Sequence, residues 1–335
     1  MKNFISIVIP VKEINGFIRK ETLPAILKQT YKDFEVIIVT DKFSKEKFAK
    51  TKIIPSWPKK GPADKRDLGV QKAKGDIICF LDDDSYPDKN LLKNAIKIFK
   101  EGKDITGVCG PNLTPLHNNV LQKASGYVWS TWLGSGGAGS YRCNACERRQ
   151  VDDFPTVNLL VKKDDFLKVG GFDSHFWPGE DTKLCHDLVY KLGKKIIYDP
   201  NILVYHHRRE VFKPHLAQIG RYAIHRGHFA RILPRTSLRF GYFSPTFFAL
   251  GLILGPILIL LLNYFNSLIL AKIVFVVYVF SISIYFFLLL ITGLEIYLKE
   301  KNYKLFWLSM ISIFVTHFVY GILLMKGFFS KKLER

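Results

Sequence analysis

The chain has 335 residues, 48% hydrophobic and 23% charged, a balance that excludes intrinsic disorder and allows a large core in one or two domains. Its 49 Lys and Arg against 29 Asp and Glu leave a formal charge of +20, which ordinarily points to nucleic acid. Long uncharged apolar runs near the C-terminus make an anionic membrane surface the better match, so membrane lipids and no nucleic acid are expected.

Residues 1–205 read as one α/β domain. The runs 4–9, 35–39 and 77–81 are short, rich in Ile and Val, and bounded by turn residues, as buried parallel strands are. Residues 21–29 have a helical pattern, with Thr22 as a possible cap and Pro24 in the first turn. Residues 90–100 repeat apolar side chains at helical spacing (Leu91, Leu92, Ala95, Ile96, Phe99). Strands alternating with helices predict a doubly wound sheet, which binds ligands outside the carboxyl ends of its strands. The acidic run Asp82-Asp83-Asp84 falls at such an end. The stretch 133–142 (LGSGGAGSYR) reads as a mobile loop and lacks the glycine spacing of a phosphate cradle.

Five scattered cysteines argue against a disulfide framework and fit a reducing compartment. Cys143 and Cys146 form a single C-x-x-C pair, for which packing is expected rather than zinc. The opening run ending at Pro10 is too short for the apolar region of a signal peptide.

From Tyr242 the composition changes. Residues 240–271 and 273–294 carry no charged side chain, and 305–325 carry only His317. Each run reaches the ~20 residues needed to cross a ~30 Å hydrocarbon core. Three transmembrane helices are expected, near 242–263, 271–294 and 305–326. Residues 206–240 between the domain and the first span hold Arg208, Arg209, Lys213, Arg221, Arg226, Arg231, Arg235 and Arg239, and read as basic interfacial helices on the cytoplasmic side of the cell membrane. One feature of the flanking charge disagrees. Three spans leave the tail of Lys331, Lys332 and Arg335 outside, so either the tail is tolerated there or the third run is re-entrant.

Oxygen ligands at i and i+2 of the acidic run suit a hard divalent ion that also grips phosphate, although Asp is also common in solvated turns. Around it stand Lys65-Arg66-Asp67-Leu68-Gly69, Ala73-Lys74-Gly75-Asp76, Gly170-Gly171-Phe172-Asp173, Glu180-Asp181, Val204-Tyr205-His206 and Gln218-Ile219-Gly220-Arg221-Tyr222. In this order the segments resemble a family 2 glycosyltransferase with the nucleotide-diphospho-sugar transferase fold, of the membrane-anchored kind that builds exopolysaccharides and surface glycans. The resemblance covers residues 4 to about 230.

The resemblance implies a mixed sheet, Mn2+ or Mg2+ as cofactor, and a UDP- or GDP-sugar as donor. Pro10, Val11, Glu13, Asp41, Lys65, Arg66, Asp82 and Asp83 match donor-binding positions, with Lys65 and Arg66 facing phosphate or base. Asp84, Asp82 and His206 match metal ligands, although the adjacent His207 leaves the register open. Asp181 matches the catalytic base of an inverting displacement, or it serves the start of a helix over 182–191. Glu180, Gln218, Arg221 and Tyr222 match acceptor-binding positions, with Tyr222 where processive synthases carry Trp. The activity implied is transfer of one sugar to a lipid-linked or saccharide acceptor. Direct loading of polyprenyl phosphate, a processive synthase, and an inactive scaffolding subunit are the alternatives.

Overall fold

The computed structural model describes residues 3–58, 60–137 and 139–332; Ala138 of the Gly/Ser-rich stretch and Arg335 of the basic tail lie outside them. The chain forms two compact units, Met1–Leu116 with Tyr141–His207, and His117–Ser140 with Arg208–Arg335. The segment 117–140 therefore groups with the apolar helices, whereas the sequence reading counts it within residues 1–205.

The strands in chain order are β1 (Ile5–Pro10), β2 (Phe34–Thr40), β3 (Thr51–Pro55), β4 (Ile77–Leu81), β5 (Ser85–Pro87) and β6 (Ile105–Cys109). After them come β7 (Asn112–Leu113), β8 (Arg149–Val151), β9 (Asn158–Lys162), β10 (Lys195–Tyr198) and β11 (Val204–His206). The helices are α1 (Leu23–Leu27), α2 (Pro62–Lys72), α3 (Leu91–Phe99), α4 (Val120–Ser130, in the second unit), α5 (Lys163–Lys168) and α6 (Glu180–His186).

Eight strands form one mixed sheet in the order β3-β2-β1-β4-β9-β6-β10-β8. The first four are mutually parallel, and β9 runs antiparallel between β4 and β6. Both faces are covered, which is why these strands read as unbroken apolar runs. Side chains alternate with period two. Ile5, Ile7 and Ile9 join Val36, Ile38, Ile77 and Cys79 in one buried cluster, while Val8 joins Ile37, Val39, Ile78 and Phe80 in the other. The three expected strands are present, and 77–81 has the expected bounds.

The first helical stretch differs from expectation. It runs without a break over 16–27, so Thr22 lies inside it and cannot cap. Asn15 does the capping, its Oδ1 accepting from the Ile18 N–H at 3.0 Å. The Thr22 hydroxyl instead donates to the carbonyl of Asp83 at 3.0 Å, tying this helix to the acidic run.

Two glycines of the sequence motifs are packing glycines. A Cβ on Gly69 would come within 2.4 Å of a Val8 methyl, so α2 can lie directly on β1. A Cβ on Gly75 would lie 2.6 Å from the Ser6 nitrogen and 2.7 Å from the Phe4 carbonyl.

In the second unit, α7 (Lys213–Ile232) and α8 (Pro234–Ser237) precede α9 (Phe240–Tyr264), α10 (Leu268–Glu300) and α11 (Tyr303–Phe329). The last three are long and apolar enough to cross a membrane. The Gly/Ser-rich stretch is packed rather than free. A Cβ on Gly134 would strike the Val128 carbonyl at 2.5 Å, and one on Gly136 (φ +61°) the Gly241 carbonyl at 2.5 Å. Its glycines allow close approach of backbones, a use that composition does not distinguish from mobility.

Gly75→Ala should overpack the β1 backbone and lower stability by about 1–3 kcal/mol. A thermal or urea melt of the purified variant checks it; an unchanged midpoint would show that the backbone at Ser6 yields without cost.

Candidate active site

The parallel strands β1, β2 and β4 end on one edge of the sheet, and the polar residues that follow them share that edge. The Val11 N–H donates to the Val39 carbonyl and the Asp41 N–H to the Lys12 carbonyl, each at 2.9 Å, so the exits of β1 and β2 stay paired. Lys65, from α2, closes this corner. Its ammonium donates to the Val11 carbonyl at 2.6 Å and is ion-paired with Asp41. Lys65 is only 4% exposed, and a buried cation needs such partners. It thus braces the strand ends. Pro10 is buried at the end of β1, and Glu13 is exposed nearby.

The acidic run follows β4. Asp82 and Asp84 share a side and Asp83 turns away. The Asp83 carboxylate accepts from the Asn15 amide. Burial pushes its carboxyl up to about 6, with the charges of Asp84 and Asp82 adding to the rise. The small antiparallel pair of β5 and β11 registers His206 against Ser85, next to Asp84. His206 Nε2 lies 3.2 Å from Asp84 Oδ1. Burial works to raise the Asp84 carboxyl, but the neighbouring imidazole of His206 outweighs it and holds it below its ordinary value. The His207 ring points elsewhere, its Nε2 lying 2.9 Å from Glu21 Oε2 while its backbone N–H donates to the Asp84 carbonyl at 3.1 Å, so the side chain that faces the acidic run is that of His206.

Candidate ligand atoms of Asp82, Asp84 and His206 all lie within 4.8 Å of one another. Two carboxylates and one imidazole, each partly accessible, fit a divalent ion such as Mn2+ or Mg2+.

Arg66 joins this cluster to the Glu180-Asp181 segment. One guanidinium nitrogen lies 2.7 Å from Asp82 Oδ1 and the other 2.9 Å from Glu180 Oε1. Arg66 and Glu180 are each 5% exposed. Burial penalises the Arg66 charge, yet Asp82, Glu180 and Asp181 more than compensate, and the guanidinium is held above its ordinary value. Glu180 also accepts from the Gly179 N–H at 3.0 Å. Both of its oxygens are thus engaged inside the protein. Asp181, half-buried in the first turn of α6, accepts from the Thr182 N–H at 2.8 Å.

The Gly-Gly-Phe-Asp segment packs against α2, the helix that carries Arg66. Gly170 and Gly171 adopt φ of +88° and +76°, which favours glycine. The turn delivers the Phe172 N–H to Asp67 Oδ1 at 3.0 Å and sets the Phe172 ring 5.8 Å from the Arg66 guanidinium. Burial pushes the Asp67 carboxyl up to about 7.

Gln218, Arg221 and Tyr222 lie on α7 in the second unit, where the Gln218 amide donates to the Tyr222 hydroxyl at 3.2 Å. Cys143 donates to Asn112 Oδ1 at 3.4 Å, consistent with packing. Asn15, Thr22 and Asp67 escaped the sequence reading as site residues. Asp67 lay inside a motif already singled out, whereas nothing about an isolated Asn or Thr marks a partner 61 or 68 residues away.

Arg66→Ala would leave Glu180 buried without its counter-charge. Loss of one partner of a buried pair should cost about 3 kcal/mol or more, read by chemical denaturation. Asp67 supplies a pH test. Its carboxyl is protonated in the folded state up to about pH 7 but loses its proton near the ordinary ~3.9 when unfolded, so the folded chain binds more protons between these values. Stability should fall as pH rises through that window. Asp67→Asn keeps the acceptor for Phe172 and removes the titration, so the difference in Tm between pH 5 and pH 8 should shrink by a few degrees.

The family described as Glycosyl transferase family 2 matches residues 6–115, and Glycosyl transferase family group 2 matches residues 77–325. Among known proteins, the chain is 26% identical over 260 residues to a dolichyl N-acetyl-glucosaminyl phosphate glucuronosyltransferase (a diacetamido-dideoxy-glucuronosyl transferase) of Methanococcus voltae, covering 72% of this chain and 76% of that protein. It is 22% identical over 207 residues to the glucosyl-dolichyl phosphate glucuronosyltransferase of Haloferax volcanii, covering 56% and 63%. An uncharacterized glycosyltransferase of Rickettsia bellii is 36% identical over 110 residues, 30% of this chain and 16% of that one. The fold is similar to that of a mannosyltransferase from Pyrobaculum calidifontis solved with GDP-Man and Mn2+, with a TM-score of 0.53 and 17% identity over 95% of this chain and 86% of that chain. With the second description covering most of its length, the chain belongs to the family 2 glycosyltransferases.

Proposed function

We propose that this glycosyltransferase moves one sugar, with inversion, from a UDP- or GDP-sugar to a lipid-linked saccharide in the assembly of a surface glycan. The observation that carries this reading is the convergence of Asp82, Asp84 and His206 at the carboxyl edge of the parallel strands. Doubly wound sheets bind ligands at that edge, and this donor set suits Mn2+ or Mg2+. A divalent ion held by Asp82, Asp84 and His206 would supply positive charge to offset that of the diphosphate.

The chain's own residues do the rest. The braced exits of β1 and β2, with Val11, Lys65 and Asp41, shape the wall beside the nucleoside. Arg66 fixes the orientation of Asp82 and is fixed by Glu180, which makes Glu180 a positioning residue. Asp181, next in sequence, keeps a half-buried carboxylate that can accept the acceptor's hydroxyl proton as that oxygen attacks the anomeric carbon.

The acceptor reading is supported by the names of the Methanococcus and Haloferax relatives, which describe transfer to a sugar already on dolichyl phosphate. The apolar helices would hold such an enzyme at the membrane where the lipid tail resides. The excess of Arg over 206–239 supports a cytoplasmic catalytic domain.

Two measurements test this. With the full chain in detergent or nanodiscs, chelator or Asp84→Ala should lower sugar transfer by at least the ~10–100-fold seen when even an indirect metal contact is lost. Unchanged transfer in both would remove the metal site. Asp181→Asn should leave nucleotide-sugar binding intact while turnover falls about 10²–10⁴-fold. Near-normal turnover would assign Asp181 to the start of α6 alone. Offering bare polyprenyl phosphate beside a sugar-bearing lipid separates loading of the carrier from extension of it.

A further inference from the structure

We propose that only α9 and α10 cross the membrane, and that α11, although long and apolar enough to span, lies in the membrane interface with both ends on the side where α9 begins. The argument uses contacts within the second unit and is independent of the catalytic reading.

α9 and α10 form an antiparallel hairpin. Phe248 stacks on Tyr285 at 4.0 Å, and nearer the turn the Tyr278 ring closes on Gly255. The start of α9 and the end of α10 therefore share one side. α11 begins two residues beyond α10, with the Tyr303 ring 4.6 Å from that of Tyr297. It then passes back along the second half of α10, as Gly293 meets Met310, and the Tyr285 hydroxyl lies 3.0 Å from His317 near the middle of that helix.

A third span would continue toward the turn at 264–268. α11 does not. Beyond His317 it returns along the first turns of α9: Thr246 donates to the Gly321 carbonyl at 3.1 Å, and Phe328 meets Phe243 at 6.0 Å. A straight helix can run against the end of α10 and then against the start of α9 only by crossing the hairpin near one end. Burial agrees. The buried residues of α9 are Tyr242, Pro245, Thr246 and Ala249, all in its first half, whereas those of α11 extend from Leu305 to Gly327.

The neighbour of α11 is decisive. α7 packs along its C-terminal half at glycine contacts, Gly227 against the Leu324 carbonyl and Gly327 against the Ile224 carbonyl. Arg231 donates to the Ser330 carbonyl at 2.9 Å. A spanning α11 would draw α7, with Arg221, Arg226 and Arg231, into hydrocarbon, where such charges are seldom tolerated. At the interface those side chains reach lipid headgroups, while Trp307 and Ile311 on the outer face of α11 meet acyl chains. Lys331 and Lys332 then fall on the same side as the basic stretch, and the conflict in flanking charge disappears.

The test places one epitope at a time in the full chain: ahead of residue 1, in the turn at Asn266, or after Lys332. Each is probed in sealed membrane vesicles with an impermeant antibody, before and after permeabilisation. The first and third epitopes should be accessible from one side and the second from the other. If the epitope after Lys332 is opposite the first, α11 spans. If all three share a side, the α9–α10 hairpin does not cross. Either result overturns the proposal.

Discussion

A single guanidinium with no place in water organises the first unit. Arg66 is buried, and a buried cation is tolerated only when its partners are fixed around it. Asp82 comes from the end of β4 and Glu180 from the start of α6, so one side chain joins the acidic run to the segment that carries Asp181. Phe172 closes over the same group, held by the Asp67 side chain one residue along α2. α2 can stand there only because Gly69 lets it approach Val8. Four segments that look independent in the sequence are thus one packed structure.

The same constraint divides labour within the acidic run. The period of two at a strand exit sends Asp83 inward to Asn15, leaving Asp82 and Asp84 on the side of His206. Lys65 and Arg66, adjacent on α2, likewise serve two corners, one the exits of β1 and β2 and the other the acidic run. Neither is a free cation.

The second unit obeys a different economy, since lipid offers backbones and charges no partners. α7 and α11 meet at glycines and share polar contacts, with His215 lying 3.0 Å from Thr316 and 2.8 Å from Ser125 of α4. Burial lowers the His215 imidazole to about 4, and it sits neutral between two hydroxyls. On insertion scales an Arg at mid-membrane costs about 2.5–3.5 kcal/mol, a penalty that the Arg residues of α7 would incur several times over. Apolar length alone therefore marks a helix as able to span without deciding that it does.

The sequence by itself determined the strands and the spacing of the motifs, because a strand buried on both faces must be continuously apolar and carboxylates at i and i+2 of a strand end form a donor set suited to a divalent ion. It also determined the three apolar helices, since no hydrophilic face interrupts them. Only the tertiary structure decided which histidine meets Asp84, because the pairing of β11 with β5 fixes a register that adjacent residues do not. It alone turned Asp83, Lys65 and Glu180 toward protein partners, found Asn15 and Asp67, and moved 117–140 from the α/β fold to the apolar helices. Each of these depends on contacts between residues far apart in the chain, and local pattern carries no record of which distant group will be close enough to satisfy a buried charge or an N–H.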